Sequence, residues 1–297
     1  MKRAMKEAGE AGEATPQVAR AGSWRDDGQF RLRDVPMILM YHGVAEVAED
    51  PNQLCVTPRR FAEQMAWLGR RGLRGVGVGT LVDAMRAGRQ RGLVGITFDD
   101  GYVNVLEAAV PELARHGFAA TAYIISGRLG GTNEWDQGPT WPLLSADGVR
   151  ELAAAGIEIG SHAATHLRLA GVGQEQLRAE VHQSRASLEA LLGTEIRGFA
   201  YPYGSMDKAA RQAVRDAGYD YACAVEASMA EAGLMALPRM YIGQQDDAAR
   251  MAAKRRLYRG RIALKSPLGG RPPKTPPPSA SPGGRPPQTP PARGRRS

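Results

Sequence analysis

Cysteine is scarce. Two in 297 residues, Cys55 and Cys223, exclude a disulfide framework, and with no CxxC spacing they offer no structural zinc site; both read as small buried hydrophobes. Long apolar runs are missing too. The longest, Val35–Tyr41 and Gly92–Phe98, fall far short of the roughly 18 residues that a membrane span requires. The first 33 residues mix charges with alanine and glycine and have no apolar core like that of a secretory signal, so a flexible leader and a cytoplasmic protein are expected. Acidic side chains vanish after residue 247: residues 248–297 hold 13 Lys and Arg and no Asp or Glu, which leaves residues 1–247 with a net charge of −5. The basic balance of +8 therefore belongs to the C-terminal end, and no specific nucleic-acid binding is expected of the rest. Residues 263–297 carry 11 of the 20 prolines and almost nothing to bury, the composition of a disordered tail.

What is present lies between residues 34 and 262, where short β-like runs alternate with helical stretches, as in a parallel α/β fold. The strand candidates are Val35–Tyr41, Gly92–Phe98, Ala119–Ile125, Gly156–Gly160, Gly198–Tyr201, Tyr219–Ala224 and Met235–Ile242. Seven parallel strands suggest a barrel. Helix starts are marked by Thr57 before Pro58, by Ser145 and by Ser205, and helix ends by Gly72, Gly156 and Gly218.

Residues able to do chemistry fall just after strands: His42, then Asp99 and Asp100, then Ser161 and His162, then Tyr203. In a parallel α/β barrel the active site lies at the C-terminal strand ends, so these groups are expected on one face. In TFDDGY (Thr97–Tyr102), Gly101 lets the backbone turn so that two adjacent carboxylates face inward, where they need a cation between them. SHAATH (Ser161–His166) places two imidazoles together if a helical turn follows the strand; with one carboxylate they leave coordination positions open for water and substrate. FAYPYG (Phe199–Gly204) forms a tight turn that can aim a backbone N–H at a developing oxyanion. Each segment alone also reads as an ordinary turn or a surface histidine pair.

In this order, TFDDGY, SHxxxH and FAYPYG resemble the polysaccharide deacetylase family, the NodB-homology carbohydrate esterases, over roughly residues 34–245. The resemblance implies a distorted (β/α)7 barrel and metal-dependent hydrolysis of N-acetyl groups on amino sugars. By position it implies Asp99 as general base, Asp100, His162 and His166 as ligands of one divalent ion (zinc first, with cobalt or nickel able to substitute), and the Tyr203 backbone N–H in an oxyanion hole.

Two departures from the family pattern stand out. The third motif usually carries an arginine that holds the catalytic carboxylate, and Ala200 occupies that position; a late histidine is also lacking near residues 235–242. Arg239, in the last strand candidate, is placed to reach Asp99, and His42, in MYHGV, is placed to act as the acid. MYHGV, GGTNEWD (Gly130–Asp136), FAYPYG and LPR together resemble the branch of poly-N-acetylglucosamine and other exopolysaccharide deacetylases. Trp135, Trp141 and Tyr201 are candidates for contact with an N-acetylated glycan. His116 and His182 fall in helical segments and read as structural. A related barrel amidohydrolase for a small cyclic amide or imide, and a silent carbohydrate-binding module, stay open as alternatives. Oligomeric state is not legible.

Overall fold

A computed structural model describes residues 35–135, 138–225 and 232–264. The leader 1–33, tail residues 265–297 and Asp136 of GGTNEWD lie outside them. Among the described residues, eleven strand segments occur in chain order: β1 (Ile38–Tyr41), β2 (Gly43–Val44), β3 (Cys55–Val56), β4 (Arg74–Val76), β5 (Leu93–Phe98), β6 (Thr121–Ile124), β7 (Glu158–Ser161), β8 (Gly198–Ala200), β9 (Tyr221–Ala224), β10 (Leu237–Pro238) and β11 (Met240–Tyr241).

All ladder pairs are parallel. The main sheet runs β10-β9-β8-β7-β6-β5-β1-β11, and because β10 and β11 are one strand interrupted at Arg239, its two ends meet there. The result is a nearly closed parallel barrel. Seven strands form the ring, as the sequence predicts, and β4 joins as an eighth along the first half of β5. β1, β8 and β9 are buried throughout, as strands covered on both faces by helices and barrel interior must be. The β4 strand and the small β2–β3 pair were not anticipated: three residues beginning with an exposed arginine, or two-residue bridges, carry no readable periodicity.

Helix Pro58–Gly69 shows how the layers join. Thr57 accepts from the Arg60 N–H at 3.2 Å, and proline takes the first helical position. Phe61, Met65 and Leu68 then recur on one buried face, where Phe61 meets Tyr41 edge-on at 5.3 Å and Phe98 at 5.8 Å. Burying each such side chain is worth about 1.5–3 kcal/mol. Ser145 likewise caps helix Ala146–Ala154 through the Gly148 N–H at 3.2 Å. The third predicted start is corrected. Asp207 caps Lys208–Asp216 by accepting from Ala210 N–H at 2.8 Å, while Ser205 stays extended and accepts from Ala170 N–H.

Polar side chains also enter the barrel. Tyr221 donates to Glu158 at 2.7 Å, the Tyr123 hydroxyl contacts Cys223 Sγ at 3.1 Å, and Arg239 lies 5.6 Å from the Tyr123 ring centroid. Both cysteines are free and buried.

Candidate active site

The chemistry-bearing groups converge at the C-terminal end of the barrel. β5 delivers Asp99 and Asp100, yet the turn that separates them begins earlier than the sequence suggests. Asp100 itself is left-handed (φ 72°), followed by Gly101 (φ 80°). A non-glycine residue there is strained, by an amount usually retained only where function needs the geometry. The two carboxylates consequently take different partners.

Asp100 turns to the histidines. Its Oδ1 lies 3.5 Å from His162 Nε2 and 3.3 Å from His166 Nε2, with all three residues buried. The expected helical turn between the histidines is absent. Residues 162–166 form a loop in which Ala163 (φ 64°) and His166 (φ 69°) are left-handed, and this loop brings the imidazole centroids to 5.0 Å. The His162 Nδ1–H donates to the Ala200 carbonyl at 2.8 Å, which fixes the tautomer and leaves Nε2 with its lone pair toward Asp100. Burial pushes the His162 pKa down to about 4, so the ring is neutral at pH 7, the form that ligates a metal. Burial opposes ionisation of Asp100, but the surrounding histidines, His166 foremost, together outweigh it and hold the carboxyl below its usual range.

These residues fit a divalent cation. One ligand atom from each of Asp100, His162 and His166 lies within 4.8 Å of the other two. Asp100 Oδ1 is buried with no hydrogen-bond partner among the described residues, the condition of an oxygen reserved for an ion. Two imidazoles and one carboxylate suit zinc-type ions and leave positions open.

Asp99 turns instead to Arg239. The guanidinium spans both carboxylate oxygens, at 2.6 Å to Oδ1 and 2.7 Å to Oδ2, and Nη1 also donates to Thr97 Oγ1 at 3.1 Å. Thr97 passes its own proton to the Leu39 carbonyl at 2.9 Å. Burial pushes the Asp99 pKa up, but the charge and hydrogen bonds of Arg239, with the nearby histidines, together keep the group below its ordinary value. The break between β10 and β11 puts Arg239 inside the barrel, with its Nε toward the Ala224 carbonyl. Thr97 lies within TFDDGY, where the carboxylates stand out in the sequence; a threonine there carries no signal of its own.

His42 follows β1, half-buried, and lies near enough to Asp99 and Asp100 to contribute to the lowering of both carboxyl pKa values. Its Nδ1 is buried without a partner among the described residues. Tyr203 sits in the Pro202–Gly204 turn in a left-handed conformation (φ 57°, ψ 13°), with its ring 4.4 Å from His166 and under Arg168 at 3.8 Å. Trp135 also packs against His166, at 4.7 Å between ring centroids. Trp141 lies edge-on to Tyr102 at 5.4 Å. Tyr201 is a correction: it is fully buried, with its hydroxyl on the Met235 carbonyl at 3.0 Å, and so belongs to the core and not to a glycan-contacting surface. Its position just after β8 sends it inward, whereas the turn leaves Tyr203 half-buried two residues later.

The polysaccharide deacetylase family model matches residues 86–222, which include the Asp100–His162–His166 cluster and Tyr203 but neither His42 nor Arg239. The protein YxkH of Bacillus subtilis (strain 168), which bears the name of a polysaccharide deacetylase, is 27% identical over 209 residues, covering 69% of this chain and 70% of its own. Among solved structures, IcaB from Ammonifex degensii is 25% identical with a TM-score of 0.63, covering 74% of this chain and 96% of that one. The Streptococcus pyogenes deacetylase PplD, solved with acetate, is 21% identical with a TM-score of 0.63 and the same coverage. With TFDDGY, SHAATH and FAYPYG inside the matched stretch and its barrel shared with these structures, the chain is similar to the polysaccharide deacetylase family.

Proposed function

We propose that this protein is a metal-dependent hydrolase that removes N-acetyl groups from N-acetylated amino sugars in a polysaccharide or oligosaccharide. The observation that carries the reading is the division of labour between adjacent carboxylates: Asp100 faces two imidazoles, and Asp99 is gripped by Arg239. When bound by Asp100, His162 and His166, a zinc-type ion acidifies water and polarises an acyl oxygen. Asp99 accepts the proton of the attacking water, and Arg239 keeps its carboxylate ionised and oriented. The Tyr203 N–H, presented by the left-handed turn, stabilises the developing oxyanion. His42 protonates the departing amine, which is otherwise a poor leaving group. The Trp135 face beside His166 supports a sugar-stacking role.

An arginine contributed by the last strand, together with an early-strand histidine, supports the exopolysaccharide branch and a poly-N-acetylglucosamine type of substrate. Acetate release from chitooligosaccharides, poly-N-acetylglucosamine and peptidoglycan tests the reading. Activity on at least one of these glycans is expected. Turnover of cyclic imides alone, or of nothing at all by the zinc-loaded protein, would replace it.

A further inference from the structure

The loop that carries His166 is strained and needs an external hold. Ala163 and His166 are both left-handed, a conformation in which the Cβ of an L-residue crowds its own backbone. His162 has its ring fixed by the Ala200 carbonyl, but His166 Nδ1 has no partner among the described residues, so its placement depends on its backbone and on ring packing.

One carboxylate grips that backbone. Glu180 is buried, and its Oε2 accepts from the Ala164 N–H at 3.0 Å and the Thr165 N–H at 2.9 Å; its Oε1 takes the Thr165 hydroxyl at 2.5 Å. The Ser126 and Gly127 N–H groups also donate to the Ala163 and Ala164 carbonyls, at 3.2 and 2.8 Å. A Cβ on Gly127 would fall 2.5 Å from the Ala164 oxygen, so this second grip admits only glycine. Glu180 comes from a π-helical turn, Ala179–Gln183, set between helices Gln174–Arg178 and Ser184–Leu192. Such turns are rare and cluster at functional sites. Just past the turn, Ser184 meets Ser161 through their hydroxyls at 2.8 Å, so the same helical segment also holds the residue before His162.

We propose that Glu180 is a positioning residue that sets the metal affinity of this centre by holding the His166 loop, without itself touching the ion. The inference rests on the reading of Asp100, His162 and His166 as ligands. Outer partners of metal ligands are typically worth about 10–100-fold in affinity.

The test is Zn2+ affinity of the full chain, measured by competition with a chromophoric chelator and without substrate, alongside the melting temperature of each metal-free protein. Glu180→Ala is expected to weaken zinc binding about 10–100-fold. Glu180→Gln is expected to recover most of the loss, because its amide oxygen still accepts from both N–H groups and its amide nitrogen can donate to the Thr165 hydroxyl. Thr165→Val, a change on an exposed side chain, is expected to weaken binding by less. A folded Glu180→Ala protein with wild-type affinity overturns the proposal, as does a Glu180→Gln variant equally as weak as Glu180→Ala, which would assign the effect to charge. If Glu180→Ala does not fold, wild-type affinity in Thr165→Val overturns it. A wild-type protein that binds no zinc overturns the ligand reading itself, a result distinct from all of these.

Discussion

Arg239 holds Asp99 by both carboxylate oxygens across 140 positions of sequence, with the guanidinium fully buried. A buried bidentate pair fixes the plane of the carboxylate as well as its charge. It makes the barrel seam part of the proposed catalytic apparatus.

Arg239→Met leaves Asp99 buried without its counter-ion. Loss of one partner of such a pair costs about 3–5 kcal/mol of stability. Urea unfolding should show that loss, and acetate release should fall by about 10²-fold in kcat as the base loses its alignment. Arg239→Lys keeps the charge but cannot span both oxygens, so turnover should stay well below wild type.

Asp99→Asn removes the proton acceptor and leaves Asp100, His162 and His166 untouched. Elemental analysis should still find bound zinc while kcat drops by about 10²–10⁴-fold. Loss of the metal instead would exchange the roles of the two aspartates.

His42→Ala should keep both fold and metal and lose kcat, because the departing amine is left without its donor. Wild-type kcat on an N-acetylated oligosaccharide would assign that proton to another group or to water.

Asp207 offers a test away from the chemistry. Its carboxylate accepts from the Ala210 and Gly171 N–H groups, which lower its pKa and tie the chain beyond His166 to the helix after Tyr203. Asp207→Ala should cost about 1 kcal/mol, as for other N-caps. With a depressed folded pKa, the advantage over the variant is complete above the unfolded value and is lost as pH falls through the folded one. Denaturant curves at neutral and strongly acidic pH should therefore converge for the two proteins at the acid end.

Much of this was legible because the chemistry sits beside regular structure. Asp99, His162 and His42 directly follow strands, and both Thr57 and Ser145 cap the helices they precede. What failed to read were features that exist only in three dimensions. The left-handed turn at Asp100 and the non-helical loop between the histidines follow from contacts made by distant residues, and local spacing favoured a glycine turn and a helix. Tyr201 and Tyr203 are chemically alike in sequence, and only the direction of the turn after β8 separates a core ring from a cleft ring. Glu180 is one glutamate among many in a polar helix. Nothing in the sequence shows that a π-helical turn carries it to the His166 loop.

The seam at Arg239 also orders events in time. During synthesis, β1 and β5 can pair and the His162–His166 loop can form long before residue 239 emerges, but Asp99 then has no cation to hold it and the ring has no last strand to close it. Contacts so distant in sequence form late in folding. The proposed base thus gains its bidentate counter-ion only when the last strand closes the ring.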